Sequence, residues 1–304
     1  MLNKIIADTI PYFPKKFIWM FSKRYVAGEN MDDGINTSRE LNQKGILVTV
    51  DLLGEFIHTI KEAETNKNEY LKIIDRFTAE KIVGNFSVKP TSFGLLIDKE
   101  NCYRFVREVI TKAASTGNFV RIDMEDALCT SLEIELFLRL KKEFPKNVGL
   151  VLQAYLKRTH SDIENMIETS HSKEFPLNFR LCKGIYIESE DIAYKNFHEI
   201  RHHYLMNLDM MLRNGIYTAI ATHDPYLVDE AMELIKKHNV PKDLYEFQML
   251  YGVAPVLRDK IVANGHTMRI YVPYGKDWFG YCSRRLKENP KMVNDIIRSM
   301  FVRG

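Results

Sequence analysis

The sequence predicts a (β/α)8 barrel, and three observations carry that expectation. From residue 46 onward, eight short runs rich in β-branched residues alternate with longer amphipathic stretches, the pattern of repeated βα units around a parallel sheet. The length of 304 residues suits one such barrel with some added segments. An apolar fraction of 45% and a charged fraction of 27% are those of an ordinary globular protein with a packed core.

The predicted strands, in order, are Ile46–Leu53, Ile82–Lys89, Phe119–Met124, Gly149–Ala154, Asn178–Lys183, Tyr217–Thr222, Tyr245–Leu250 and Met268–Pro273. The first six are each followed by enough chain for a helix of several turns, and the last two lead into Ala254–Asn264 and Lys276–Glu288. Helix expectations rest on spacing. Leu128, Leu132, Leu136 and Leu140 recur every four residues between charges and give the stretch 128–144 one buried face. Pro290 disfavours a helical Asn289, so the last long helix should stop there and 291–301 should form a further short helix. The expected organisation is one domain: a helical arm over about residues 1–40, a barrel over about 41–290 and a C-terminal helical segment over 291–304. Eight βα units do not by themselves prove closure, and an open doubly wound sheet is the competitor on pattern alone.

Composition excludes several classes of function. With 43 basic and 40 acidic side chains the net charge is only +3, and no basic patch with interleaved aromatics is present, so nucleic acid is not an expected partner. Cys102, Cys129, Cys182 and Cys282 show no C-x-x-C spacing, which argues against zinc or a disulfide framework and fits a reducing cytoplasm. The apolar run Phe17–Phe21, flanked by Lys15, Lys16, Lys23 and Arg24, is far too short to span a bilayer. It reads as a helix packed on the barrel, with peripheral contact to a membrane surface as the alternative.

In such a barrel the chemistry lies at the C-terminal ends of the strands. Polar residues there are Lys89, Asp123, Glu125, Gln153, Arg180, Lys183, Thr222, His223 and Gln248. On the fifth run, alternation sends Arg180 and Cys182 to one face and Leu181 and Lys183 to the other. Two cations near one strand end suggest an anionic ligand, and Gly184 permits close backbone approach. Beyond the eighth run, helical spacing puts Arg284 and Arg285 on the face of Tyr281. A ring beside two guanidinium forks is a receptor for a planar carboxylate, and a solvated basic patch is the bland alternative. There is no G-x-G-x-x-G after the first run and no G-K-[ST], hence neither a dinucleotide fingerprint nor a P-loop. Asp123, Glu125 and Asp126 lack a neighbouring histidine cluster, so no metal is expected, and His202 and His203 read as a solvated helix surface. Two further functions fit parts of the pattern: a class I aldolase using Lys183 or Lys89 as a Schiff base, and a non-catalytic amino-acid binding protein.

Several segments, in order, resemble the motifs of the proline dehydrogenase family, of its monofunctional bacterial type. They are Ser87-Val88-Lys89, Ile122-Asp123-Met124-Glu125, Arg180-Leu181-Cys182-Lys183-Gly184, Ala221-Thr222-His223, Glu246-Phe247-Gln248 and Arg269-Ile270-Tyr271-Val272-Pro273-Tyr274-Gly275. Tyr281, Arg284-Arg285-Leu286 and Glu288-Asn289 close the set. The resemblance covers roughly residues 40 to 290 and implies a distorted (β/α)8 barrel with non-covalent FAD at the strand C-termini. It implies oxidation of L-proline to 1-pyrroline-5-carboxylate by hydride transfer, with electrons passed to a membrane quinone. A partner dehydrogenase would then take the pyrroline-5-carboxylate, or its open glutamate semialdehyde form, onward to glutamate.

Carried over by position, Lys89, Arg284 and Arg285 should hold the proline carboxylate, with Tyr271 and Tyr281 walling its ring and Leu250 in apolar contact. Asp123 should orient this network. Met124, Gln153, Arg180, Lys183, Gly184, Ile185, Thr222 and His223 align with flavin-contacting positions, Arg180 at the reacting edge. Glu55 resembles the family's partner for an active-site arginine and is expected to pair with Arg284 as a gate. Two departures stand out: Ile185 where alanine is usual, adding bulk beside the cofactor, and Asp224 where asparagine is usual, adding a negative charge.

Overall fold

In the computed structural model of the chain, residues 18–19, 22–55 and 57–288 are described, with side chains as far as Ser283. The helix expected at 291–301 and the first seventeen residues of the arm lie outside them, as does most of the apolar run 17–21. Helix α1 (Met31–Gln43) precedes β1 (Leu47–Leu52), α2 (Ile60–Ala79), β2 (Gly84–Val88), α3 (Lys99–Ser115), β3 (Val120–Ile122) and α4 (Thr130–Glu143). Then come β4 (Val148–Gln153), α5 (Thr159–Ser170), β5 (Asn178–Cys182), α6 (Phe197–Arg213), β6 (Tyr217–Ala221) and α7 (Pro225–Lys237). The last elements are β7 (Tyr245–Leu250), α8 (Pro255–Ala263), β8 (Met268–Tyr274) and α9 (Trp278–Glu288).

All eight strands are parallel and follow chain order into a closed barrel. The seam is β8 on β1, in register from Leu47 opposite Arg269 to Leu52 opposite Tyr274. Closure excludes the doubly wound alternative. Helix starts follow side-chain caps: Thr59 accepts from the Glu62 N–H, Asp98 from Glu100 and Asn101, and Asn196 from His198 and Glu199.

Two sequence expectations need correction. The helix expected from 128 begins at Thr130, so Leu128 is 84% exposed while Leu136 and Leu140 are 5% and 0% exposed. A repeat of leucines reports a shared face but not where the helix begins. The last helix begins at Trp278 instead of Lys276, because the chain turns at Gly275 with φ 135°, where a Cβ would sit 3.0 Å from the Leu53 carbonyl oxygen.

Alternation along the strands divides the core in two. Val48, Val50, Phe86, Val88, Ile122, Leu150, Leu152, Phe179 and Leu181 are fully buried between barrel and helices. Phe86 meets Phe77 of α2 at 5.1 Å between ring centroids, and Phe179 meets Phe137 of α4 at 6.0 Å. Burial of one such side chain contributes about 1.5–3 kcal/mol. With stability supplied by that outer layer, the lumen can hold polar groups. Arg180 on β5 bonds Ser87 on β2, Asp123 on β3 and Gln248 on β7, none of them a neighbouring strand, and such contacts can only cross the lumen.

Candidate active site

The C-terminal end of the barrel opens into a cavity of ≈ 690 Å³. Its floor is a chain of charged groups from five strands. Asp123 Oδ1 accepts from Arg180 Nη1 at 2.8 Å and from Ser87 Oγ at 2.5 Å. Asp123 Oδ2 accepts from the Tyr271 hydroxyl at 3.0 Å, and that hydroxyl accepts from Lys89 Nζ at 3.1 Å. Lys89 Nζ also donates to Asp51 Oδ2 at 2.5 Å and lies 3.6 Å from Glu55 Oε1. Asp123 is therefore the hub between Arg180 and Tyr271, and Tyr271 joins Lys89 to it.

The electrostatics follow from burial in the presence of several carboxylates. Burial opposes the charge of Lys89, but Asp51, Glu55 and Asp123 outweigh it and push its pKa up, so the ammonium is retained. The Asp51 carboxyl is pushed up to about 6, by burial first, with Lys89 opposing and Asp123 and Glu55 adding to the rise. Burial, then Asp123, pushes the Tyr271 phenol well up, so its proton stays in place to donate.

The walls carry the remaining expected residues. Gln153 Nε2 donates to the carbonyls of Glu125 at 2.6 Å and Met124 at 3.3 Å, which directs its oxygen to act as acceptor. Glu125 in turn accepts the N–H and hydroxyl of Thr91, tying the loop after β2 to the end of β3. Its carboxyl is pushed up to about 7 by burial, against the Thr91 hydrogen bonds. His223 Nε2 accepts the Leu250 N–H at 2.8 Å, so that nitrogen carries no proton. Thr222 Oγ1 accepts the N–H of Asp224 at 3.2 Å. Met124, Ile185, Leu250 and Tyr281 also line the cavity.

Lys183 lines the same cavity as Arg180 and Cys182, contrary to strict alternation. β5 ends at Cys182, and Gly184 turns the chain with φ 106°, which releases Lys183 from the strand's pleat. A Cβ at Gly184 would lie 2.0 Å from the Tyr155 ring, so only glycine fits. Lys183 Nζ donates to Asp224 Oδ2 at 2.7 Å, and Arg201 of α6 makes two hydrogen bonds to the same carboxylate at 2.8 and 2.6 Å. Burial raises the Asp224 pKa, but these cations prevail and hold it at about 2. The charge expected of Asp224 is thus neutralised twice over.

Both lysines that could serve as a Schiff base are ion-paired with carboxylates, whereas that chemistry needs a desolvated neutral amine. Tyr281 is 5% exposed against the cavity, whereas the side chains of Arg284 and Arg285 lie outside the described ones. Among the described residues no cluster of His, Cys, Asp and Glu is arranged for a metal, and no helix is long and apolar enough to cross a membrane. His202 is exposed, but His203 is half-buried and stacks on Tyr194 at 3.9 Å.

The sequence expectations give no site role to Asp51, Ser87, Glu246 and Arg269, and place Gln248 at a strand end without assigning it a task. The signal was present as polar residues two apart on the strands: Thr49 and Asp51, Ser87 and Lys89, Arg121 and Asp123, Glu246 and Gln248, Arg269 and Tyr271. Arg201 had none, since it is one charge among many on an amphipathic helix.

A closed parallel barrel whose strand ends gather Lys89, Asp123, Arg180 and Tyr271 around one cavity defines a (β/α)8 enzyme. The family model "Proline dehydrogenase" matches residues 34–298. Proline dehydrogenase 2 of Bacillus subtilis strain 168 is 36% identical over 277 residues, 91% of this chain and 89% of that one. Proline dehydrogenase of Deinococcus radiodurans is 33% identical over 287 residues, 93% and 91% of the two chains. Among solved structures, proline utilization A of Bdellovibrio bacteriovorus, inactivated by N-propargylglycine, superposes with a TM-score of 0.84 at 29% identity. That match covers 89% of this chain but 33% of the other, so the chain spans about a third of that protein. The chain belongs to the proline dehydrogenase family and is an enzyme of the oxidoreductase class.

Proposed function

We propose that the chain oxidises L-proline to 1-pyrroline-5-carboxylate with FAD as hydride acceptor and a membrane quinone as the final oxidant. Family membership supports the substrate, and one observation of the site supports the cofactor. Arg180 Nη2 is buried at the cavity with no hydrogen-bond partner among the described residues, although Nε and Nη1 are both occupied. A buried cationic donor left open needs an acceptor. The residues fit FAD: Met124, Gln153, Arg180, Lys183, Gly184, Ile185, Thr222 and His223 all line the one cavity. FAD bound there would supply the two-electron chemistry.

Within this reading each protein group has a task. Lys89, with Arg284 and Arg285, holds the proline carboxylate. Tyr271, Tyr281 and Leu250 enclose the ring and keep water out. Asp123 locks Arg180 and Tyr271 in place, and Arg180 stabilises negative charge at the reacting edge. Proline loses a hydride from carbon and a proton from nitrogen, giving the cyclic imine. Glu55 acts as gate by pairing with Arg284 until the substrate carboxylate competes for it. If so, Glu55→Gln should weaken the protection that proline-like ligands give residues 276–288 against protease, and unchanged protection refutes the gate. The chain works as one domain in the cytoplasm, at the inner face of the membrane, and hands its product to a second dehydrogenase.

The visible spectrum of the purified protein before and after anaerobic L-proline tests this reading. The expected result is a yellow protein that bleaches. Absence of bound flavin even after FAD is supplied would sink it. Activity should follow quinone analogues, and robust proline-dependent reduction of NAD⁺ by this chain alone would overturn the choice of acceptor.

A further inference from the structure

We propose that Gln248, held by Glu246 and Arg269, is the positioning residue that fixes which edge of Arg180 faces the cavity. The inference rests on the FAD reading above and deepens it. Arg180 Nε donates to Gln248 Oε1 at 2.6 Å, and Gln248 Nε2 donates to Glu246 Oε1 at 2.5 Å. Glu246, 1% exposed, accepts from Arg269 Nε at 2.8 Å and Nη2 at 3.0 Å, and Arg269 Nη1 donates to the Val48 carbonyl at 2.9 Å. The relay runs from β5 through β7 and β8 to the backbone of β1.

Its polarity has one solution. A guanidinium N–H can only donate and a carboxylate can only accept, so the amide between them must turn its oxygen to Arg180 and its nitrogen to Glu246. Burial opposes the Glu246 charge, but Arg269 prevails and holds the carboxylate ionised. Glu246 therefore dictates the orientation of Gln248. Asp123 and Ser87 pin Arg180 Nη1 from the opposite wall. With two corners of a planar group fixed, the third, Nη2, has no freedom left and is aimed before any ligand arrives. Such preorganised charge acts on the oxidation state of a bound flavin without a reorganisation cost.

The test is Gln248→Met, which deletes the acceptor for Arg180 Nε and leaves the Glu246–Arg269 pair intact. Measured on the holoprotein, FAD affinity should fall about tenfold, as for one charge-assisted hydrogen bond. The two-electron midpoint potential should become more negative by about 30 mV, the equivalent of a tenfold weaker preference for the reduced cofactor. A purely structural glutamine would lower the melting temperature and leave the potential unchanged. The paired exchange Glu246→Gln with Gln248→Glu rebuilds the relay with donor and acceptor reversed. It should recover FAD affinity to within about threefold of the parent. An unchanged potential in Gln248→Met, or a loss of affinity that the exchange does not recover, overturns the proposal. A parent protein that takes up no flavin would instead sink the functional reading itself.

Discussion

Two charge clusters share the cavity and are built in opposite ways. On the floor, Asp51, Glu55 and Asp123 surround Lys89 and Arg180, and every side chain is at most 12% exposed. At the lip, Lys183 and Arg201 share the single carboxylate of Asp224, and the two cations are 29% and 23% exposed. The floor has more anions than cations among the described side chains, in a buried lumen where each partner is indispensable to the next. The lip has a surplus of positive charge open to water and salt. The floor is suited to orienting a ligand and the lip to attracting an anionic one.

Deleting one cation from each cluster should give very different losses of stability. Lys89→Met strands Asp51 and Glu55 in the lumen and should cost about 3–5 kcal/mol, the usual loss when one partner of a buried pair is removed. Lys183→Met leaves Asp224 with Arg201 and should cost less than about 1 kcal/mol. Urea unfolding of both variants without added cofactor measures the difference. Equal losses would erase the distinction between the clusters.

The next largest effect concerns the carboxylate role proposed for Arg285. On that proposal, Arg285→Met should reduce kcat/KM for proline by the equivalent of about 2–5 kcal/mol, the cost of removing one fork from a desolvated carboxylate. The protein should stay yellow, and a proline analogue without the carboxylate should show a much smaller penalty. Loss of FAD together with normal binding of proline-like carboxylates would assign Arg285 to the cofactor.

How much of this was legible in the sequence depends on where each group gets its meaning. The barrel was legible because parallel strands buried on their outer face keep a run of Val, Ile, Leu and Phe whatever the lumen holds. Lys89, Asp123, Arg180 and Tyr271 were legible from strand-end position and family resemblance. Asp51, Glu246 and Arg269 were not, because a charged residue within a strand becomes a lumen group only once the strands pair and bring its partner alongside. Arg269 finds Glu246 across the β7–β8 pair, and Lys89 finds Asp51 across β1–β2. Lys183 was assigned to the wrong face because alternation was extended one residue past the strand, into the turn at Gly184.

A smaller effect separates the clusters by pH. Because burial raises the Asp51 carboxyl to about 6, lowering the pH from about 8 to about 5 should protonate it while an ordinary aspartate stays charged. One negative charge beside Lys89 disappears, and the ammonium turns its full attraction on the ligand. Binding of a ring carboxylate that lacks the amine should therefore tighten by about severalfold as pH falls. Asp51→Asn should bind as tightly at the upper pH as the parent does at the lower and should lose the part of the profile centred near 6, leaving only the weaker dependence that Glu125, raised to about 7, contributes from the wall. An unaltered profile in that variant would remove Asp51 as the titrating group.

The smallest effect belongs to the lip, at Asp224. Its carboxylate spends itself on Lys183 and Arg201, so their charge reaches an incoming anion only in part. Asp224→Asn removes that competitor and should strengthen FAD binding by about two- to fivefold at low ionic strength, the range expected of a partly exposed ion pair. Because the lip is open to solvent, the gain should fade as salt rises to about 0.5 M, where the screening length becomes shorter than the separation of the charges it must bridge. A buried wall residue offers the control: Gln153→Leu should weaken FAD binding to the same degree at both salt concentrations, since a buried hydrogen bond is barely screened. Titrating flavin-free protein with FAD at two ionic strengths distinguishes these outcomes. If Asp224→Asn weakens binding at low salt, the carboxylate is not a competitor but the strut that keeps Lys183 and Arg201 pointed into the cavity, and the lip is then built on the same principle as the floor.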